Sequence, residues 1–400
     1  MAFNNDQIYE LFSWLPVKSL RKFASVSKHC NGFLSESSFI RLQSHHGMLK
    51  AAAADDGYFV QSKYGGSWSF LPSSMMDSAS AVVPLDSLEF LGEQWLRIIS
   101  SSNGLLLCVQ TATYDPSSLY VVNPATGTWT MIPAPEEVKE ILRHDSYSDY
   151  GLGIVFECGG YHTDFPDDYL LMAVSGFGLI VYSPMTRAWE MRHKFVVGGS
   201  LYLRQDNHVY LENVGVHFLC DKLYFSAIRP HIMAFNPSEG TTRLLKIPRD
   251  AWRRRDVCSF NLRIFRWKGN SCNAQPTISL VRLERKKCFK VWVLEDYNNS
   301  LWVKVLKVRV KVLAAEEVNP VVAGYAITSG TCLAFATTKN LYKYNLEDND
   351  FEKVQVVGRH GVFDLLDFCE HSAGGVDMIP YSSTLRPPGT GPVAVVGRSA

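Results

Sequence analysis

The sequence lacks any apolar run of about 18 residues, the length a membrane-crossing helix needs. Its start, MAFNNDQIYE, has no basic stretch leading into an apolar one, so no secretory signal is expected. Nine cysteines include no CxxC pair, and an odd count without secretion fits reduced thiols in cytoplasm and/or nucleus. In that setting Asn298-Asn299-Ser300 reads as a polar turn rather than a glycosylation acceptor. Charge is sparse, at 20% of residues with a net of +1, which gives no global attraction to nucleic acid or a membrane surface. No HExxH or Cys/His quartet with zinc spacing occurs, so no metal is expected. Gly151-Leu152-Gly153 is followed by no helical pattern, and GK[ST] is absent, which leaves a strand start rather than a phosphate loop. Nothing ties a Ser, His and Asp together. The expectation is a protein with no catalytic residue and no cofactor, with a propeller enzyme the remote alternative.

What the chain does have is apolar material: 46% hydrophobic and 12% aromatic residues over 400 positions, enough for two or three domains or one large repetitive one. It divides unevenly. Residues 1–46 carry helical periodicity. Ile8, Leu11, Phe12 and Leu15 recur at helical spacing, Pro16 interrupts, and Val17 restarts a stretch with Leu20, Phe23 and Ala24 on one face. A third segment runs through Phe33-Leu34, and Ser37 can cap a last turn bearing Phe39, Ile40 and Leu42. About 40 residues make a weak core by themselves. Trp14, Leu15, Val17, Leu20 and Val26 cannot all point inward, so the surplus is expected to face another chain. A helical cap packed on its own β-domain is the alternative.

Leu15-Pro16-Val17-Lys18-Ser19-Leu20, Val26-Ser27-Lys28 and Ser38-Phe39 make residues 8–42 resemble an F-box. That module binds the Skp-type adaptor of SCF ubiquitin ligases. The chain departs from the family at Phe3-Asn4, where Leu-Pro is usual, and at Cys30, where Trp is usual. The resemblance implies adaptor binding through Leu15, Pro16, Val17, Leu20 and Val26, with Ser27 and Lys28 at the edge.

Residues 47–56 show no regular apolar face and read as a linker. From 57 to 385 the pattern is all-β, short Val/Ile/Leu/Tyr/Phe runs between turn-forming clusters. One unit recurs: an apolar strand, a turn, then an aromatic opening the return strand. Leu119–Pro133 is the clearest copy, with others ending on Trp189, Trp302 and Phe351, one with Thr242 in place of the aromatic, and a degenerate one at Trp68. The anchors at 68, 129, 189, 242, 302 and 351 lie 61, 60, 53, 60 and 49 residues apart, the length of a four-stranded blade. Six anchors predict a mainly β fold, a kelch-like propeller of about six blades, closed by pairing residues 57–70 with strands near the C-terminus. A β-sandwich of the same hairpins is the alternative. Ser102-Asn103-Gly104-Leu105-Leu106, Asn123-Pro124-Ala125-Thr126 and Tyr150-Gly151-Leu152-Gly153 resemble the F-box-associated, kelch-like region of plant F-box proteins. Residues 386–400, rich in Pro and Gly, are expected to be a disordered tail.

Near-neutrality conceals one asymmetry. From Arg243 to Lys311 stand 18 Lys and Arg against 5 Asp and Glu, so the remainder of a +1 chain nets −12. Trp252 beside Arg253, Arg254 and Arg255 is the candidate target-binding cluster, suited to an acidic or phosphorylated protein segment. Taken together, the resemblance implies an SCF substrate receptor, joined through the adaptor to a cullin and holding a target protein for ubiquitination. A non-ligase scaffold with the same head and body is the alternative.

Overall fold

The computed structural model describes residues 5–51, 56–62, 68–72, 96–110, 118–136, 138–139, 153–158, 169–175, 178–194, 201–211, 215–222, 231–236, 239–252, 262–267, 277–328, 332–337, 339–346, 351–354, 376–389 and 394–395. Four helices come first: α1 (Asn5–Ser13), α2 (Val17–Ala24), α3 (Lys28–Leu34) and α4 (Ser37–Ala51). Pro16, at φ −58° and ψ 146°, ends one helix and starts the next, and its carbonyl accepts from Leu20 N at 3.1 Å. Ser27 caps α3, its Oγ accepting from Cys30 N at 3.1 Å. Helix α4 continues to Ala51, so much of the expected linker is helical.

Six antiparallel sheets follow. The first comprises β3 (Leu96–Ser102), β4 (Leu105–Gln110), β5 (Ser118–Asn123) and β6 (Thr128–Pro133). The second comprises β7 (Gly153–Cys158), β8 (Tyr169–Ser175), β9 (Gly178–Ser183) and β10 (Ala188–Lys194), and the third β11 (Leu201–Leu211), β12 (Gly215–Lys222), β13 (His231–Asn236) and β14 (Thr241–Lys246). The fourth comprises β15 (Leu262–Trp267), β16 (Thr277–Glu284), β17 (Cys288–Asp296) and β18 (Leu301–Arg309), and the fifth β19 (Gly324–Thr328), β20 (Cys332–Ala336), β21 (Leu341–Asn345) and β22 (Phe351–Val354). Each is a meander whose first strand is innermost. Those inner strands touch their neighbours in succession around a ring, β3 to β7, β11, β15, β19 and on to β23 (Val376–Tyr381), which returns to β3.

The sixth sheet closes that ring. Its inner strand is β23 and its outer two are β1 (Gly57–Ser62) and β2 (Trp68–Pro72), with Phe59 opposite Ile379 and Phe70. This is the predicted closure, made from the two ends of the β-body. Gln61 ties the joint to the first sheet: its side-chain amide donates to Ile98 O at 2.6 Å and accepts from Ile98 N at 2.9 Å, as a strand backbone would. Across the ring's interior, Arg263 of β15 donates to Asp377 of β23 at 2.6 Å and to Tyr325 O of β19 at 3.4 Å.

All six predicted anchors open the outermost meander strand of their sheets and pair back as expected, Trp129 with Val122, Trp189 with Tyr182, Trp302 with Leu294. The apolar core lies between neighbouring sheets, as in the cluster joining Leu107, Val121 and Ile132 of the first to Ile154, Phe156 and Leu171 of the second. A radial arrangement needs this, because each blade must bury both faces.

The tail departs from expectation. Arg386 is buried, and β24 (Ala394–Val395) adds a strand to the outer edge of the first sheet, opposite Trp129 and Thr128. Backbone groups at the sheet edge reward such pairing even from a Pro/Gly-rich segment.

Candidate functional site

Two surfaces carry the candidate residues: the helical head and the basic sheet of the body. The head has a small core of Leu20, Phe33, Leu34 and Phe39, with Tyr9, Phe12, Leu15, Ala24 and Cys30 packed around it. Cys30 thus fills the place where the resemblance led one to expect Trp. Three rings lock the interior: Phe33 meets Phe39 at 5.2 Å and Phe12 at 5.5 Å, both edge-on. The Tyr9 hydroxyl donates to the Glu36 carboxylate; burial, then that neighbour, pushes the Tyr9 pKa up to about 12.

The seven residues expected to meet an adaptor separate into three groups. Val17 and Leu20 are buried, Leu20 in the core of the head. Leu15 is half-buried. Pro16, Val26, Ser27 and Lys28 are exposed, Val26 at 73%. Periodicity could not separate these groups, since an eight-residue helix between two others has neighbours on more than one side. The structure adds Leu11, Trp14 and Phe23 to the exposed apolar set. Trp14 is held rigidly. Its ring stacks on His46 at 3.8 Å, and its Nε1–H donates to Glu10 Oε1 at 3.0 Å. His46 Nδ1 in turn meets Ser13 Oγ at 2.7 Å, tying α1 to α4.

The head does not hang free. The segment after β23 runs between α4 and the first sheet as a strap. Gln43 Oε1 accepts from Leu385 N at 3.0 Å, and the Leu385 side chain packs on the head core. Asn103 Nδ2 donates to Ser44 Oγ at 2.8 Å, and Thr384 Oγ1 donates to Asn103 O at 2.8 Å. Buried Asn123 donates to both Thr384 O and Arg386 O, at 2.9 and 2.6 Å. The alternative of a cap resting on its own β-domain is therefore partly realised through α4. Leu11 of α1 and Phe23 of α2 stay uncovered.

The strap marks which side of the ring carries the head: that of the β3–β4 and β5–β6 turns. Meander topology then places the second turn of each sheet, and each sheet-to-sheet crossover, on the far side. Trp252 belongs to such a crossover, and it is half-buried against the core shared by the third and fourth sheets. Its ring is a packing element there. Arg253, Arg254 and Arg255 lie outside the described residues. Much of the basic excess serves the scaffold: Arg263 pairs with Asp377, Lys290 with Glu284 at 2.9 Å and Lys304 with Asp250. Arg282 donates to Ala251 O at 2.9 Å, and Arg243 to Asn298 Oδ1 at 2.9 Å.

No helix among the described residues is long and apolar enough to cross a membrane. No protein-family model matches the chain. Among solved structures, the WD40 domain of SCAP from fission yeast aligns at a TM-score of 0.35 with 9% identity, covering 65% of this chain and 55% of that one. A lectin of Aleuria aurantia aligns at the same score and identity, covering 84% and 88%. At such scores the strand order, not the likeness, defines the architecture. Curated sequences are more informative. An F-box protein of Arabidopsis thaliana is 23% identical over 319 residues, 75% of this chain and 77% of that protein. A second Arabidopsis protein, provisionally named as an F-box protein, is 24% identical over 391 residues, 91% and 96% of the two chains. A third, named in the same way, is 23% identical over 53% of each chain. Over most of its length the chain is a distant homologue of the F-box proteins of Arabidopsis.

Proposed function

We propose that the chain is the non-catalytic substrate-recognition subunit of an SCF ubiquitin ligase, working in cytoplasm and/or nucleus. Residues 1–46 dock a Skp-type adaptor and, through it, a cullin. The β-body holds a target protein near the ubiquitin-charged enzyme. The observation that carries this reading is the uncovered apolar face of a head already anchored elsewhere: Leu11, Trp14, Phe23 and Val26 stay exposed although α4 is docked. Each such side chain taken from water is worth roughly 1.5–3 kcal/mol, enough to hold a partner after ordering costs. The receptor then acts by proximity, raising the effective concentration of target lysines and supplying no reacting group.

Co-expression with a Skp-type adaptor tests it. The wild-type chain should co-elute with the adaptor. Leu11→Asp with Val26→Asp should abolish co-elution without altering the circular dichroism of the body. Leu20→Asp is unsuitable, because Leu20 is interior and its loss unfolds the head. A head that stays uncomplexed at micromolar adaptor sinks the ligase reading. Adaptor binding without ubiquitination of any captured target leaves a scaffold.

A further inference from the structure

The β16–β17 turn is wholly charged: Glu284, Arg285, Lys286, Lys287. Lys287 N donates to Glu284 O at 3.0 Å, and the two central residues lie at φ +52° and +56°. Paired left-handed residues match the twist of a hairpin, but the position suits Asn-Gly, because a Cβ there crowds the following carbonyl. Arg285 and Lys286 each cost about 1 kcal/mol in that conformation. Neighbours hold them in it. Lys286 O accepts from Val322 N at 3.2 Å, Lys287 O from Val310 N at 2.9 Å, and Lys287 Nζ donates to Asn319 Oδ1 at 2.9 Å.

A second destabilising feature adjoins the first. Arg282 stands opposite Lys290, and Lys290 opposite Lys307, three cations in one cross-strand row. Arg309 follows opposite Cys288. Like charges directly opposite repel. Glu284 answers Lys290 at 2.9 Å and reaches Arg282 at 4.0 Å, while Lys307 and Arg309, on the same face of the sheet, and Arg285 in the turn are exposed. The turn and the segment from Val310 lie on the side of the ring away from the head. The repulsion at this corner is relieved by a bound anion.

We infer that this corner of the fourth sheet is an anion-recognition site for an extended peptide segment, taking a phosphoryl group or a run of carboxylates against Arg285, Lys307 and Arg309. It rests on the reading of the β-body as the target-binding part. Guanidinium and ammonium groups together suit such an anion. An extended segment suits the rim: among the described residues no strand covers the outer side of β18, whereas β24 pairs with the equivalent edge of the first sheet.

The test uses the full chain and three short fluorescein-labelled Val/Ser peptides: one with a central phosphoserine, one with a run of glutamates, and the neutral parent. Anisotropy at about 0.1 M salt should show one or both anionic peptides bound at least about tenfold more tightly than the parent. Phosphopeptide alone assigns a phosphoryl site, and glutamates alone a carboxylate site. Arg285→Asn with Lys286→Gly should weaken binding about tenfold while raising the thermal midpoint, since the turn loses its strain. If that variant is less stable, Lys307→Ala with Arg309→Ala carries the test. Equal binding of the parent peptide, unchanged affinity in the variants, or an equal loss in Lys22→Glu, an exposed site on the head, overturns the inference. An adaptor complex that ignores both anionic peptides overturns this site and leaves the receptor reading standing. Peptide binding without an adaptor complex does the reverse.

Discussion

The indole of Trp189 donates across a sheet boundary to the carbonyl of Pro133, at 2.9 Å. Trp302 does the same to Lys246 O, at 2.8 Å. Each acceptor ends the outer strand of the preceding sheet, four residues past that sheet's own anchor, so the bond repeats with the fold. The anchor aromatic is therefore more than the return of a hairpin. Its ring packs on its own sheet, with Trp189 and Tyr182 at 5.4 Å, and its N–H staples that sheet to the one before. Trp189→Phe should keep the ring contact, lose the staple and lower unfolding free energy by about 1 kcal/mol in urea titration. Trp189→Ala should cost about 3 kcal/mol.

Arg263 and Asp377 make a buried pair, 8% and 5% exposed, linking the inner strands of the fourth and sixth sheets past the fifth. Asp377→Ala leaves a guanidinium buried with no carboxylate opposite. It should cost about 3–5 kcal/mol, whereas Arg263→Met with Asp377→Leu should recover most of that loss. Chemical denaturation of the two variants decides between a required pair and a replaceable one.

His217 in β12 is fully buried, with Nε2 at 3.1 Å from the hydroxyl of Tyr297 in the next sheet. Burial pushes its pKa from 6.5 down to about 4. The unfolded chain therefore binds this proton first. The neutral imidazole's contribution is complete above about pH 6.5 and declines as pH falls toward 4, a span worth roughly 2–3 kcal/mol. His217→Gln should flatten the acid limb of the stability profile in that window by this amount. Identical limbs in wild type and variant would place the acid sensitivity elsewhere.

Gly104 turns β3 into β4 at φ +82°, and a Cβ there would stand 2.1 Å from Thr384 Oγ1. Gly104→Ala should push the strap off the turn. Amides of 383–386 and of α4 should then exchange faster with solvent, while those of β16 and β17 keep their protection. Hydrogen exchange read by peptide mass resolves the difference.

Sequence legibility followed local periodicity. Anchors at 129, 189, 302 and 351 could be found because a hairpin repeats its own grammar, and closure by residues 57–70 followed from the fragment left over at the start. Motif letters put Val17 and Leu20 on the docking face without encoding orientation; the rings of Phe33 and Phe39 show Leu20 to be packed in the head core. The strap is not legible in the sequence, because its hydrogen bonds join residues as distant as Gln43 and Leu385, and Ser-Thr-Leu-Arg has no periodicity to betray a partner. Trp252 beside arginines reads as a recognition pair, and its half-buried ring also packs on the core between two sheets.

The closing strand sets an order of events for the growing chain. Strands β1 and β2 leave the ribosome early and wait, one edge unpaired, until β23 is made some 300 residues later. The strap that seats the head follows directly, with Asp56 accepting from Ser383 N at 2.6 Å. A seated head thus certifies that synthesis has passed residue 385. A chain halted sooner has the Asn103–Ser44 bond alone of these contacts and lacks the strap's bonds to α4 and to the first sheet.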